Sequence, residues 1–441
     1  MSDGRLHRFC LLMAALAAIL IQIQMSVMTA PGSYLGLRVN LADLMLPVAG
    51  LVVLVTLLRK KSLWPRWSLS GTWVWLIVLS GLMLLSFLYG YTVTGEWSRW
   101  ALTNKLVGWF VLVAYFCLGG WLATNSGAAV RARFLKFFIA TFCLAAIGSL
   151  IILLLSDLGF TIVPYKVYPL AGVMGNRNAF ALLCVVALVI AVYEDQHGAA
   201  HRQARWIGGL LPVISFLLPA LLVGIGSRTG AVVMAVALLA LVCLRPGPFL
   251  RRIVPYIAAG MVVVVAVYSV TGKSLLRENQ ISRTIIAADL AQQNPEALLE
   301  KRTGSEAIRL RVNSDAVVLW QKHKLIGAGL GSFLTFSHRS YDGTDIVVDL
   351  IDCTPLWLLT ETGLVGLALF ATFYAVAMIA LWRRRKDDPW AGTMVLILFL
   401  FALMALVHEV MFTRFMWLLL GLSLGTGANL PQHSQSAPVQ Q

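Results

Sequence analysis

Charge is scarce in this chain. Of its 441 residues only 12% are Asp, Glu, Lys or Arg, while 59% are hydrophobic, and the mean hydropathy is +0.81. That balance excludes a soluble domain of this size. Acids are scarcer than bases, with 20 Asp and Glu against 35 Lys and Arg and a net charge of +15. Cysteine is also sparse. Of six cysteines, Cys10, Cys117, Cys143, Cys184 and Cys243 lie in or beside apolar runs. Cys353 is expected alone on the outer side, so no disulfide framework is available. No internal repeat is visible, which argues against a solenoid.

What the chain does contain is apolar runs. There are about twelve of roughly membrane-spanning length, at 9–29, 38–58, 71–91, 104–122, 134–156, 174–193, 206–224, 229–244, 253–271, 355–382, 391–408 and 411–428. The fold class expected is therefore all-α: a polytopic membrane helical bundle with one large outer loop. The first run follows Arg5, His7 and Arg8 and has the look of a signal peptide, but with so many later runs it is read as a retained helix. The positive charge does not form a nucleic-acid patch. Arg59, Lys60, Lys61 and Arg66, then Arg131, Arg133 and Lys136, then Arg202 and Arg205, then Arg245, Arg251 and Arg252, then Arg383 to Lys386 fall at every second loop. This is the positive-inside pattern, and it predicts cytoplasmic termini.

Motifs gather on the outer side. The run GVMGNRNAF opens the sixth apolar run with Arg177 and Asn178. Gly and Asn suit a turn and a helix cap, while an arginine at a span mouth either snorkels to water or faces a polar site. GIGSRTG sets Arg228 at the start of the next run but one. A guanidinium beside free helix N–H groups makes an anion site, and a snorkelling arginine meeting lipid phosphates is the plainer reading.

The long loop 272–354 balances its acids and bases, so anion binding there rests on individual arginines. Thr303 and Glu306 form a capping-box signal, after which Ile308, Val312, Ala316 and Leu319 recur at helical spacing. Arg311 and Asp315 are four apart and can pair, leaving Arg309 the freer arginine. Gly327, Gly329 and Gly331 then end the helix. Thr354 suits an N-cap and Pro355 the first helical position of the next apolar run, which carries a single acid, Glu361, before Trp382. His408, Glu409 and Arg414 are expected to form a polar cluster or a capping ion pair between the last two runs.

The ordered set GNRNAFA, GSRTG, an arginine-led helix ending in a glycine-rich GSF turn, and a polar residue nine before ETGLVGL resembles the O-antigen ligase and polymerase family of bacterial inner-membrane proteins. The resemblance covers about 172–370. It implies a metal-independent GT-C-type glycosyltransferase without a cofactor. The implied donor is an undecaprenyl-diphosphate-linked glycan, and the acceptor a lipid A-core hydroxyl or another carrier-linked repeat. Membrane lipids are the other implied partners, and nucleic acid is not one.

The resemblance also implies roles. Arg228 and Arg309 match the arginines that hold the diphosphate, and Arg177 falls where the GNPN-like motif has proline. The family's proposed base is a histidine nine before the glutamate. Here that position is Asp352, followed by Cys353. Asp352 can serve as the base, His338 can substitute, or Asp352 can be a capping residue only. Expected site residues are thus Asp352, Arg228 and Arg309 as catalytic, with Arg177, Asn178, Arg311, His338 and Glu361 binding substrate. The expected organisation is an N-terminal scaffold at 1–170, a ligase/polymerase-like core at 171–371, C-terminal spans at 372–428 and a disordered cytoplasmic tail at 429–441. A transporter or flippase, or a non-catalytic glycan-assembly protein, is the alternative.

The topology is testable. On a cysteine-free background, an impermeant thiol reagent applied from outside should label a cysteine placed at Ser305 and leave one at Ser62 unlabelled. The reverse pattern would end this topology.

Overall fold

The computed structural model describes residues 3–27, 37–59, 64–157, 170–197, 209–244, 251–271, 305–339 and 350–426. Within them the chain is all-α apart from one small hairpin. The elements in order are α1 (Asp3–Leu20), β1 (Gln24–Val27), β2 (Leu37–Asn40), α2 (Leu46–Arg59), α3 (Thr72–Thr94), α4 (Gly108–Asp157), α5 (Arg177–His197), α6 (Leu210–Ile225), α7 (Arg228–Leu244), α8 (Val254–Thr271), α9 (Ser305–Lys322), α10 (Ser332–Arg339), α11 (Thr354–Arg384), α12 (Pro389–Ala405) and α13 (Arg414–Leu424). Five stretches are long and apolar enough to cross a membrane: Leu41–Leu58, Thr72–Thr94, Ala101–Leu155, Arg177–His197 and Thr354–Arg384. Most other apolar runs fall on shorter apolar helices.

Three sequence expectations change. The first apolar run ends as a helix at Leu20, and its remainder enters β1, which pairs antiparallel with β2. The fourth and fifth runs lie on one continuous helix broken only at Gly127, whose φ of 56° an L side chain rarely adopts. Thr354 is not the N-cap of α11. Cys353 occupies that position without a side-chain cap bond. The Thr354 hydroxyl instead donates to the His408 carbonyl (2.9 Å) and accepts from the Val410 N–H (3.2 Å).

The core is built where α4 packs on α1 and α13. Trp109, Tyr115, Phe116, Phe134, Phe138 and Phe415 are fully buried there. Many large side chains on other faces are exposed, including Leu58, Ile77, Leu85, Leu144 and Val262. An apolar outer surface is what a helix in hydrocarbon requires.

The amphipathic helix expected in the loop is α9. Val312, Ala316 and Leu319 are buried along one side of it, and α9 packs on α11. Thr303 lies outside the described residues. The turn after α9 meets α11 at a break. Gly363 has φ 71° and ψ −172°, so the helix loses bonds there. The turn restores them: Ala328 N–H donates to Thr360 C=O (2.8 Å), Gly329 N–H to Glu361 C=O (3.0 Å), Leu364 N–H to Lys324 C=O (3.0 Å) and Val365 N–H to Leu325 C=O (3.1 Å). Irregular backbone at membrane depth is tolerated only when protein satisfies it in this way.

The two backbones leave no space for a Cβ. One on Gly327 would lie 2.5 Å from the Gly363 nitrogen, and one on Gly363 would lie 2.2 Å from the Leu325 oxygen. Either Gly→Ala change should therefore cost about 2–4 kcal/mol, from left-handed strain plus the clash. The measurement is the melting temperature of the detergent-solubilised protein. Gly71→Ala is the control, since Gly71 has a similar φ of +74° but nothing within 4 Å. It should cost the strain alone, about 1–2 kcal/mol. Equal losses at all three positions would refute the tight crossing.

Candidate functional site

Three helix starts converge: α5 at Arg177, α7 at Arg228 and α11 at Thr354. Local capping builds the first two. Asn176 Oδ1 accepts from the N–H groups of Asn178 (2.8 Å) and Ala179 (3.2 Å), and Ser227 Oγ accepts from Gly230 N–H (3.1 Å). Each cap therefore holds an arginine at the first helical position. Ser227 Oγ also donates to Asn178 Oδ1 at 2.8 Å, joining the two starts.

Arg309 reaches the same place from α9. Its Nε donates to Asp352 Oδ2 at 3.1 Å. The charges acting on half-buried Arg177 are Arg309, Arg228 and Asp352. Arg177 thus lies within electrostatic reach of both other arginines and of Asp352, while the charges acting on Asp352 itself are Arg309, Glu409 and Arg38. Partial burial raises the Asp352 carboxyl above the ordinary aspartate range, Arg309 opposes that shift, and Glu409 adds to it.

Asp352 also lines a cleft of about 250 Å³, with Arg38, Asn178, His408, Glu409 and Lys105 among its walls. His408 is buried, 5% exposed. Its Nδ1 accepts from Asn178 Nδ2 (3.1 Å) and its Nε2 lies 3.2 Å from Thr229 Oγ1, which assigns the proton to Nε2. Burial first, then the positive charges of Arg309 and Arg177, pushes the imidazole down to about 4. The ring is therefore neutral at physiological pH.

The remaining expected residues divide. Asn178 joins the site directly. Arg311 pairs with Asp315 (4.0 Å) on α9. The His338 side chain lies outside the described residues. Glu361 is buried and does not line the cleft, with its Oε2 accepting from Trp357 Nε1 (2.8 Å).

His408, Glu409 and Arg414 all line the cleft, as the expected polar cluster would, but pair with different elements. Glu409 pairs with Lys105 on the π-helical segment Ala101–Val107. Arg414 forms a forked pair with Asp43 (2.9–3.1 Å), which also accepts from the Tyr115 hydroxyl (2.9 Å) and the Asn40 N–H (2.8 Å). Asp43 is thereby an anchor. Lys105 was missed in sequence. Its only signal there was a lone lysine in an otherwise apolar stretch. It lies over the rings of Trp357 (4.2 Å), Phe412 (4.7 Å) and Trp100 (4.9 Å).

These features define an all-helical, membrane-type protein with a basic, polar site where several helices begin. Residues 213–371 match the family model described as O-antigen ligase. The match supports that family over α6 to α11 and contains Arg228, Arg309 and Asp352, while Arg177 and His408 lie outside it. The family implies glycan transfer of the ligase or polymerase kind between a lipid-linked glycan and an acceptor. Comparison with curated proteins gives no match.

Removing one partner of a buried pair strands the other charge. Lys105→Met should therefore destabilise the protein by about 3–5 kcal/mol, seen as a lower melting temperature. Adding Glu409→Gln should restore most of the loss. A double variant no more stable than Lys105→Met would show that the pair itself is not what matters.

Proposed function

We propose that the protein transfers glycan from undecaprenyl diphosphate to an acceptor hydroxyl on the outer face of the bacterial inner membrane, without a metal ion. What supports this reading is Arg177, within electrostatic reach of both Arg228 and Arg309, together with the Arg309 pair to Asp352. Like charges held together at helix starts suit a ligand bearing more than one negative charge. A diphosphate ester linking a lipid to a sugar fits that requirement, and planar guanidinium forks match phosphate oxygens.

In this reading Arg228 and Arg309 hold the diphosphate, with Arg177 beside them. The acceptor hydroxyl enters the cleft and attacks the anomeric carbon. Asp352 takes its proton, and the bond from that carbon to the diphosphate oxygen breaks. Negative charge grows on the leaving diphosphate, where the arginines stabilise it most. When the donor arrives, Arg309 turns from Asp352 to a phosphate, which frees the carboxylate. A carboxyl raised above its ordinary range is a better base than a free aspartate. The core at 171–371, the scaffold on either side and cytoplasmic termini belong to the same proposal.

The test uses purified protein in liposomes with carrier-linked glycan and acceptor. Arg228→Ala and Arg309→Ala should each lower the rate about 100-fold or more, Arg→Lys should recover part of it, and EDTA should have no effect. Asp352→Asn should lose about 100-fold or more. Activity needs the ionised carboxylate, so it should fall as pH drops through the raised Asp352 value. Asp352→His should keep activity, with that acid limb moved up toward the imidazole range. Active Asp352→Asn together with dead His338→Ala would transfer the base to His338. Normal rates with both arginines replaced would refute the diphosphate site. In cells, deletion that leaves long chains unattached to lipid A-core marks a ligase, and single repeats mark a polymerase.

A further inference from the structure

The geometry points to His408 as the positioning residue that sets the spacing of the diphosphate-binding arginines relative to Asp352. This rests on the diphosphate reading above. His408 lies in the connection between α12 and α13, outside the matched family segment, and it touches each site-bearing helix start. Its ring is bonded to Asn178, which follows Arg177, and to Thr229, which follows Arg228. Its backbone carbonyl accepts from Thr354, two residues after Asp352. The Ser227 bond to Asn178 closes the set.

A small displacement of this one residue would shift both arginine-bearing starts. His408 is not placed as a base, because both ring nitrogens already face protein partners and the side chain is buried. Its neutrality serves the bonding: only a neutral ring can accept from Asn178 while donating to Thr229. Nearby Arg309 and Arg177 favour that neutral state. An apolar replacement would take this partner from the half-buried Asn178 amide and Thr229 hydroxyl and untie the two helix starts from each other.

The experiment compares His408→Leu, which removes both bonds, with His408→Gln, whose amide keeps one acceptor and one donor. The probe is farnesyl diphosphate, titrated calorimetrically into the full-length protein in detergent. His408→Leu should weaken binding about tenfold or more, while His408→Gln stays within about threefold of wild type. In transfer assays His408→Leu should raise the donor KM as well as lower kcat, whereas a loss of folded protein would lower the apparent rate at unchanged KM.

A ligand-free readout separates this inference from the reading on which it rests. Hydrogen exchange in peptides covering 176–180 and 227–231 should speed up in His408→Leu and remain near wild type in His408→Gln. Unchanged exchange and affinity in His408→Leu would overturn the inference, and so would equal losses in both variants. Wild-type protein that fails to bind the probe would overturn the diphosphate reading and, with it, His408 as a device for arranging diphosphate ligands. The exchange result would then decide whether the latch exists as a structural one.

Discussion

The break in α11 at Gly363 is the constraint on which the site depends. An uninterrupted helix would carry its own hydrogen bonds and offer none to a neighbour. Here the left-handed glycine frees carbonyls at Thr360 and Glu361 and N–H groups at Leu364 and Val365, and the turn after α9 takes up all four. Ser86 of α3 adds a hydroxyl to the Glu361 carbonyl (2.8 Å) and accepts at its own carbonyl from Leu330 N–H (3.0 Å). The amphipathic helix of the loop is thereby fixed to two long apolar helices through backbone. Backbone bonds at this spacing specify register in a way that apolar side chains packing on one another do not. The end of α9 is held at the break, and Arg309, near its start, meets Asp352, just before the start of α11.

Once the helices are fixed, the site has to hold like charges together. Arg228 and Arg309 each repel Arg177, and the repulsion is strongest where water is partly excluded. The polar bonds of Asn176, Ser227, Asn178 and His408 offset it by fixing the backbone from which two of the arginines project. A site arranged before its ligand arrives loses less on binding, because the reorganisation has already occurred during folding. Apposed helix starts add positive partial charge in the same direction. Asp352 then has two relations, accepting from Arg309 and lining the cleft.

The sequence shows some of this directly. Hydropathy marks the apolar helices, because an apolar run of that length has few other uses. Helical spacing of Val312, Ala316 and Leu319 marks α9, and the Arg311–Asp315 pair follows from a spacing of four. The motif order brings Arg177, Arg228, Arg309 and Asp352 into one list; in the structure Arg309 pairs with Asp352, and Arg177 lies within electrostatic reach of the other three. What the sequence hides is pairing between distant segments. Nothing local in HEV tells that His408 turns to Asn178 and Thr229 while Glu409, its neighbour, turns to Lys105. Nor does the short stretch around Gln24 announce a hairpin with Leu37–Asn40, since four residues carry too little periodicity. The helix through Gly127 was missed for the opposite reason: a polar, glycine-containing stretch reads as a loop even when both sides continue as helix.

Glu361 shows how such partners change a functional argument. An acid inside an apolar helix suggests an ion path or transport site, because an uncompensated charge there is costly. In the structure the Glu361 carboxylate accepts from Trp357 one turn earlier and lies within electrostatic reach of Lys105, while its carbonyl is taken by Ser86 and Gly329. The carbonyl contacts serve the break at Gly363. The acid is accounted for by the crossing it helps to build, and the polar chemistry that remains lies at the helix starts, on the side of the long loop. A transport pathway needs polar groups distributed through the membrane's depth. A transferase that draws a lipid-linked substrate from the membrane needs them at its edge, and the reading proposed above assigns that edge to the helix starts.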